Sequence, residues 1–291
     1  MIDPRITRET PVIVQGITGR AGRQHTRLMR DYGTRIVAGV SPNTSTSDVD
    51  GIPVFGDCKS AVEATGATTC VAFVGAFDLM KAMEDALQGG VRYIVTPTEG
   101  MPLHDALRVK RLVADAGAIW VGASTPGMAI AGEAKLGFLP DASLLAGHLG
   151  LMSKSGTLSY EAGFRLAQIG IGTSVWIGVG GDAVKGLRYA DLVPFFAADA
   201  ATRAVLVIGE IGGSEEEEFA AALTASRFVK PVFALIAGRT APAGVAMGHA
   251  GALVHGSHGT FEAKKAALES AGVTVFDSLS KLVAGIRARM G

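Results

Sequence analysis

The 291-residue sequence predicts an α/β protein made of two successive βα series, each a parallel sheet wrapped by helices. Three observations carry this. Short β-branched runs alternate with amphipathic stretches, glycine-rich turns follow the apolar runs, and one aperiodic Pro/Gly-rich segment after Gly122 separates the first series from the second.

In the first series the strands fall at Val12 to Gln15, Arg35 to Val40, Cys70 to Val74, Tyr93 to Thr96 and Ile119 to Val121. Helical periodicity covers Phe77 to Gln88 and His104 to Ala116. The text ASTPGMAIAGEAKLGFLPDASLLAG then holds no period and reads as a connector over 126–147. Strands of the second series are Leu149 to Ser153, Ser174 to Gly178, Ala204 to Gly209, Val232 to Ile236 and Val273 to Phe276. Its helices include Ser214 to Ser226 and Phe261 to Ala271. The expected division is therefore 1–125, connector 126–147, and 148–291.

Composition narrows the function. Lys plus Arg is 27 and Asp plus Glu is 27, so no net field favours nucleic acid or an anionic membrane over small ligands. Two cysteines, Cys58 and Cys70, exclude a disulfide framework and fit a reducing compartment. The start MIDPRITRETPVIVQG lacks the basic-then-apolar pattern of a signal peptide, and the apolar runs fall well short of the ~20 residues of a membrane helix. The expectation is a cytoplasmic, or matrix-type, protein without nucleic-acid or membrane partners.

In doubly wound sheets ligands bind beyond the carboxyl ends of the strands, so the residues after each apolar run carry the functional signal. Gly16-Ile-Thr-Gly19-Arg-Ala-Gly22 follows the first strand, where glycines let the backbone approach a phosphate and the next helix offers free N–H groups. Its spacing departs from the dinucleotide fingerprint, and a tight turn is the bland alternative. Thr96-Pro97-Thr98-Glu99-Gly100 ends another strand and reads equally as a turn with a helix cap. In the second half, Ser153-Lys154-Ser155-Gly156-Thr157 lies between a strand and a helix, so hydroxyls and helix N–H groups converge on an anion there, unless Ser155 is simply an N-cap.

Gly180-Gly181-Asp182 and Glu210-Ile211-Gly212-Gly213 put two carboxylates at one sheet edge, where a carboxylate orients an imidazole. Glu215 to Glu218 reads as a run complementing a helix N-terminus, with Ser214 as cap. His249 sits among small residues in Ala246-Met-Gly-His-Ala-Gly-Ala252, leaving room for a bulky covalent group. Against it stand a satisfied core histidine and a metal site with His255 and His258, whose spacing matches no common zinc motif.

The segments SKSGTLSYEA, GVGGD, IGEIGGSEEEE and MGHAGAL, extended through the first half by QGITGRAGRQH, YGT, GVSP, GIPVF, ATGAT and TPTEGMP, resemble in order and spacing the α subunit of succinyl-CoA synthetase. That resemblance implies a Rossmann-like CoA-binding domain followed by a flavodoxin-like ligase domain. It implies that His249 is the phosphorylated histidine, Glu210 its supporting carboxylate, and Ser155, Gly156 and Thr157 the helix N-terminus receiving its phosphate. Thr18, Gly19, Arg20 and Ala21 with Pro97, Thr98 and Glu99 match CoA-contacting positions, and Tyr160 an acid-substrate position. No metal ligand is implied in this chain. Mg-ATP or Mg-GTP would lie on an ATP-grasp β subunit, in an αβ or α2β2 assembly, in keeping with the lack of a GxxxxGK[ST] sequence here.

Three departures from the family pattern stand out. A lysine of the CoA loop is Thr44, with Arg20 or Arg23 as substitutes, and the arginine of SRSGT is Lys154, a point charge in place of a fork. The Asn-Cys pair of GPNCPG is Ser124-Thr125, whose two hydroxyls are expected to face the acid, so that malate, sulfoacetate or another small anionic acid stands beside succinate. A non-catalytic CoA-binding regulator and an NAD-dependent dehydrogenase are the alternatives, the second resting only on the Gly-rich turn.

Overall fold

The computed structural model describes residues 2–42, 45–241, 248–249, 251–254 and 259–291. The chain forms two compact units, one built from Pro4–Leu139 with Val184–Gly186, the other from Pro140–Ala183 and Leu187–Gly291.

The first unit is a sheet in the order β3-β4-β2-β1-β5-β6-β7, comprising β1 (Val12–Gln15), β2 (Ile36–Val40), β3 (Asp48–Val49), β4 (Ile52–Phe55), β5 (Thr69–Ala72), β6 (Tyr93–Thr96) and β7 (Ile119–Gly122). Its pairings are parallel apart from the β3–β4 hairpin. Helices α1 (Arg20–Tyr32), α2 (Cys58–Thr65), α3 (Leu79–Gln88) and α4 (Leu103–Asp115) connect these strands. Met83 and Ala86 of α3 and Ala106, Val109 and Val113 of α4, at helical spacing, bury their side chains against Ile13, Cys70 and Ile94 of the sheet. Local signals set the ends. Asp57 accepts the Ser60 N–H at 2.7 Å to start α2, and Gly66 ends it at a φ of 70°.

The strand expected to reach Val74 stops at Ala72, although the Phe73 N–H still donates to the Gln15 carbonyl of β1 at 3.0 Å. The segment expected to be an aperiodic connector contains an antiparallel hairpin, β8 (Gly127–Ile130) with β9 (Ala134–Gly137), and a 3-10 turn at Asp141–Ser143. Its strands are buried along nearly their whole length, so no alternation of polar and apolar residues marks them in the sequence. The Thr34 hydroxyl donates to the Lys135 carbonyl at 2.8 Å and fastens β9 beside α1.

In the second unit β10 (Ala146–Ser153), β11 (Thr173–Gly178), β12 (Ala204–Glu210), β13 (Val232–Ala237) and β14 (Thr274–Phe276) run parallel in the order β14-β13-β12-β10-β11. They are joined through α5 (Gly156–Gln168), α6 (Tyr189–Ala198), α7 (Glu215–Ser226) and α8 (Phe261–Ser270), and α9 (Leu279–Met290) closes the chain. Leu151, Trp176, Leu206, Phe233, Leu268 and Ile286 are all buried in this core. At β10 the strand order reverses, since β11 pairs on one side and β12 on the other. The carboxyl end of β10 is therefore a topological switch point, as is the end of β1 between β2 and β5 in the first unit. Among the described residues no helix is long and apolar enough to cross a membrane.

Candidate functional site

At the first switch point β1 ends on Gln15, and the chain turns through Gly16 at a φ of 73°. A Cβ at Gly16 would stand 2.2 Å from the Phe73 carbonyl oxygen, so only glycine lets this turn pack against the end of β5. Gly19 then caps α1 with its N–H on the Gly16 carbonyl at 3.0 Å, leaving the first-turn N–H groups of Arg20 to Gly22 without helical acceptors. Beyond the turn lies a cleft of about 480 Å³ whose lining includes Gly19, Arg20, Ala21, Pro97, Thr98 and Glu99. Two segments separated by about 75 residues of sequence thus meet on one cavity, held partly by the Thr98 hydroxyl donating to the Val74 carbonyl at 2.7 Å. Thr18 stands in the same turn, its hydroxyl 3.0 Å from that of Ser41. Thr44 lies outside the described residues.

The Ser124 N–H donates to the Thr98 carbonyl at 2.8 Å, which sets the Gly122 to Gly127 loop beside the Pro97–Glu99 turn. Its two hydroxyls are not equivalent. Thr125 is buried and its Oγ1 accepts the Gly127 N–H at 2.9 Å, so this hydroxyl shapes its own loop. Ser124 takes a φ of 58° beside it.

At the second switch point the carboxyl ends of β10, β11 and β12 lie side by side, with Ser153 opposite Gly178 and Ile208. Ser155 is the N-cap of α5, its Oγ accepting the Leu158 N–H at 3.3 Å. The expected capping role is real, and it leaves the N–H groups of Gly156 and Thr157 at the open, positive end of the helix. Tyr160, one turn further along α5, is half-buried, and burial pushes its phenol up to about 12, so near neutrality it is a hydrogen-bond donor.

Glu210 closes β12, and its Oε2 lies 2.6 Å from Nδ1 of His249. A carboxylate only accepts, so Nδ1 is the donor of this pair, and in the neutral ring Nε2 is the nitrogen without a proton. Gly181, from the turn after β11, packs on the ring, and its carbonyl accepts the Gly251 N–H at 3.3 Å. Of the two carboxylates expected at this edge, Glu210 meets the imidazole. His255 and His258 lie outside the described residues.

Lys154, the point charge in place of a fork, is engaged by carboxylates of its own chain. Its ammonium is buried, 2.9 Å from Glu216 Oε1 and 3.6 Å from Glu215 Oε2, with the Tyr189 ring beneath it. Burial pulls the Lys154 ammonium down, but the two glutamates outweigh it and hold it above the ordinary lysine value. The acidic run does fill the first turn of α7 with Ser214 at the N-cap position, as expected, but Glu215 and Glu216 are buried and Ser214 Oγ donates to Glu218 Oε1 at 2.6 Å in place of accepting from the backbone. Lys264 of α8, fully buried against Glu216 and Glu217, has no signal in the sequence, where a helical lysine reads as solvent-facing.

Residues 7–100 match the CoA binding domain family, and residues 152–274 match the CoA-ligase family. The chain is 45% identical over 279 residues to a succinate–CoA ligase [ADP-forming] subunit alpha of Aquifex aeolicus, covering 95% of this chain and 91% of that one. It is 41% identical over 289 residues to the ADP-forming sulfoacetate-CoA ligase subunit SauD of Bilophila wadsworthia, covering 98% and 99%. Its fold matches an ATP citrate lyase of Methanothrix soehngenii with a TM-score of 0.85 at 22% identity, covering 97% of this chain and about half, 51%, of that structure. The class these matches define is an acid–thiol ligase subunit of the nucleoside-diphosphate-forming type. Within it the chain belongs to the succinyl-CoA synthetase (succinate–CoA ligase) α-subunit family. The dehydrogenase and non-catalytic regulator readings fall with that assignment.

Proposed function

We propose that His249 is the phosphoryl carrier of this ligase, and the observation that carries the reading is its Nδ1 on Glu210 at 2.6 Å. With the proton held at Nδ1, the Nε2 lone pair attacks the γ-phosphoryl group of Mg-ATP or Mg-GTP, and the nucleoside diphosphate leaves. Nδ1–H on Glu210 stabilises the imidazolium character of the phosphohistidine. A carboxylate oxygen of the acid then attacks the same phosphorus, returning the lone pair to Nε2 and forming an acyl phosphate. The thiolate of CoA attacks the acyl carbon and releases inorganic phosphate. Gly156 and Thr157, at the N-terminus of α5, fit a role in holding the phosphoryl oxygens.

CoA is assigned to the 480 Å³ cleft of the first unit, with its phosphates on the α1 N-terminus and Arg20. The nucleotide and Mg are assigned to a β partner of ATP-grasp type, in an αβ or α2β2 assembly in the cytoplasm. The acid is a small anion of the succinate, malate or sulfoacetate kind, and Tyr160 and Ser124 are each, separately, candidates for a residue that reads it. Steady-state kinetics with the three acids on the αβ complex and on Ser124→Asn tests this. A change in the ratios of kcat/KM beyond about threefold, or ~0.65 kcal/mol, places Ser124 at the acid, and unchanged ratios remove it.

A further inference from the structure

We propose that Lys264 is a positioning residue for phosphoryl transfer, fixing the Glu210–His249 pair through the buried carboxylate of Glu216. The proposal rests on the phosphohistidine reading and names how that pair is held.

Lys264 sits on α8, which begins soon after the His249 loop, and it is completely buried. Its ammonium has three protons and meets three acceptors: the Gly213 carbonyl at 3.1 Å, Glu217 Oε2 at 2.9 Å, and Glu216 Oε2 in a very short contact. Glu216 is completely buried as well, and its other oxygen accepts the backbone N–H of Glu210 at 3.2 Å and the Lys154 ammonium at 2.9 Å. Each oxygen of Glu216 is thus held by a different lysine, from opposite ends of the unit's chain, so the carboxylate plane has no freedom to turn. One of those oxygens fixes the peptide of Glu210, and Lys264 also fixes Gly213, three residues further on. The Glu210 to Gly213 loop is pinned at both ends by one cluster. From that pinned loop the Glu210 side chain reaches His249. The Gly212 N–H donates to the Gly259 carbonyl at 2.8 Å, so the loop is also tied to the residues that enter α8.

Folding alone is a weak reason for such a cluster, because apolar residues of matching shape commonly replace a buried ion pair without loss of stability. Direction is what it supplies and what an apolar core lacks. A carboxylate and an imidazole 2.6 Å apart respond to small displacements, and phosphoryl transfer rests on positioning together with electrostatic stabilisation.

The test uses the αβ complex with Mg-ATP and Mg-GTP, following acid-labile phosphate on His249, together with ¹⁵N NMR of the histidine side chains in the unphosphorylated chain. In Lys264→Met/Glu216→Leu the two shortest-paired charges go together, and the chain is expected to fold with a lowered unfolding midpoint, because Lys154 keeps only Glu215 as a partner and Glu217 loses its lysine. Its phosphorylation rate should fall by about tenfold or more, and the His249 signal should change from the single Nδ1–H tautomer to a mixture. A folded double variant with wild-type rate and an unchanged tautomer overturns the proposal. Should that variant not fold, Glu217→Gln loosens Lys264 at its half-exposed partner: a tautomer shift with a fall of roughly threefold in rate supports positioning, and neither change overturns it. A wild type that takes up no phosphate from either nucleotide defeats the phosphohistidine reading instead, and the NMR comparison still decides the positioning claim.

Discussion

Gly181 lies against the imidazole of His249 so closely that a Cβ built on it would stand 2.5 Å from the ring's Cγ and 2.6 Å from Nδ1. A methyl group there has to push the ring off Glu210. Gly181→Ala is therefore expected to fold, since Gly181 does not take a positive φ, and to lose on the order of 10²-fold in the rate of His249 phosphorylation. Rapid-quench measurement of acid-labile phosphate checks this, and a rate within threefold of wild type would show that the ring tolerates displacement.

Lys154 is the one departure from the family's SRSGT text whose consequence is a matter of stability. Its ammonium sits between Glu216 and Glu215, and removing it leaves two buried carboxylates short of a cation. Lys154→Met should lower the unfolding free energy by about 3 kcal/mol. Urea unfolding measures it. A loss under ~1 kcal/mol would mean that Lys264 alone neutralises the cluster.

The same cluster sets a pH dependence. Burial would push the Glu216 carboxyl up, but Lys154 and Lys264 outweigh it and hold it below the ordinary glutamate value. A depressed folded pKa gives stability that is complete above the unfolded value, about 4.3, and is lost as pH falls through the lower folded value. Unfolding free energy should thus decline on acidification, and Glu216→Gln should flatten that decline. Lys154 works in the opposite direction. Its raised folded pKa gives stability present below about 10.4 and lost as pH rises through the folded value, so the alkaline limb should flatten in Lys154→Met.

The cleft of the first unit predicts a ligand response of its own. CoA should raise the unfolding temperature of the isolated chain in proportion to its occupancy, and Arg20→Ala should weaken the effect. Gly16→Ala meets both a φ of 73° and the Phe73 carbonyl at 2.2 Å, so it should cost at least ~1 kcal/mol and abolish the shift. No shift with millimolar CoA in the wild type would count against the assignment of the cleft.

Much of this was legible before the structure. Strands such as Tyr93–Thr96 and Ala204–Glu210 are fully buried apolar runs, and a run of that kind followed by a glycine turn announces a parallel strand and the site beyond it. Helix α6 left no such trace, because Tyr189, Leu192, Val193, Phe195 and Phe196 bury nearly every side of it and Pro194 lies within it. The β8–β9 hairpin was hidden by burial on both faces. At the site, the glycine turns and the Glu210 segment were readable by their place after strands, and the His249 segment through its resemblance to the family's text. The Lys154–Glu216–Lys264 cluster was not, since each member taken alone reads as a surface charge and only the tertiary packing of α7 on α8 brings them together. Nor could the sequence tell that the Thr125 hydroxyl turns inward to Gly127 while Ser124 sits beside it.

The most direct measurement is phosphate on His249 itself. The chain is incubated with its β partner and γ-labelled Mg-ATP or Mg-GTP, quenched in alkali, and digested for peptide mapping. Phosphohistidine chemistry at the Glu210 pair predicts acid-labile, alkali-stable label on the peptide containing His249, discharged by CoA together with the acid, and absent from His249→Asn. Label that persists in His249→Asn, or a fully active complex in which that variant still turns over at the wild-type rate, would contradict it.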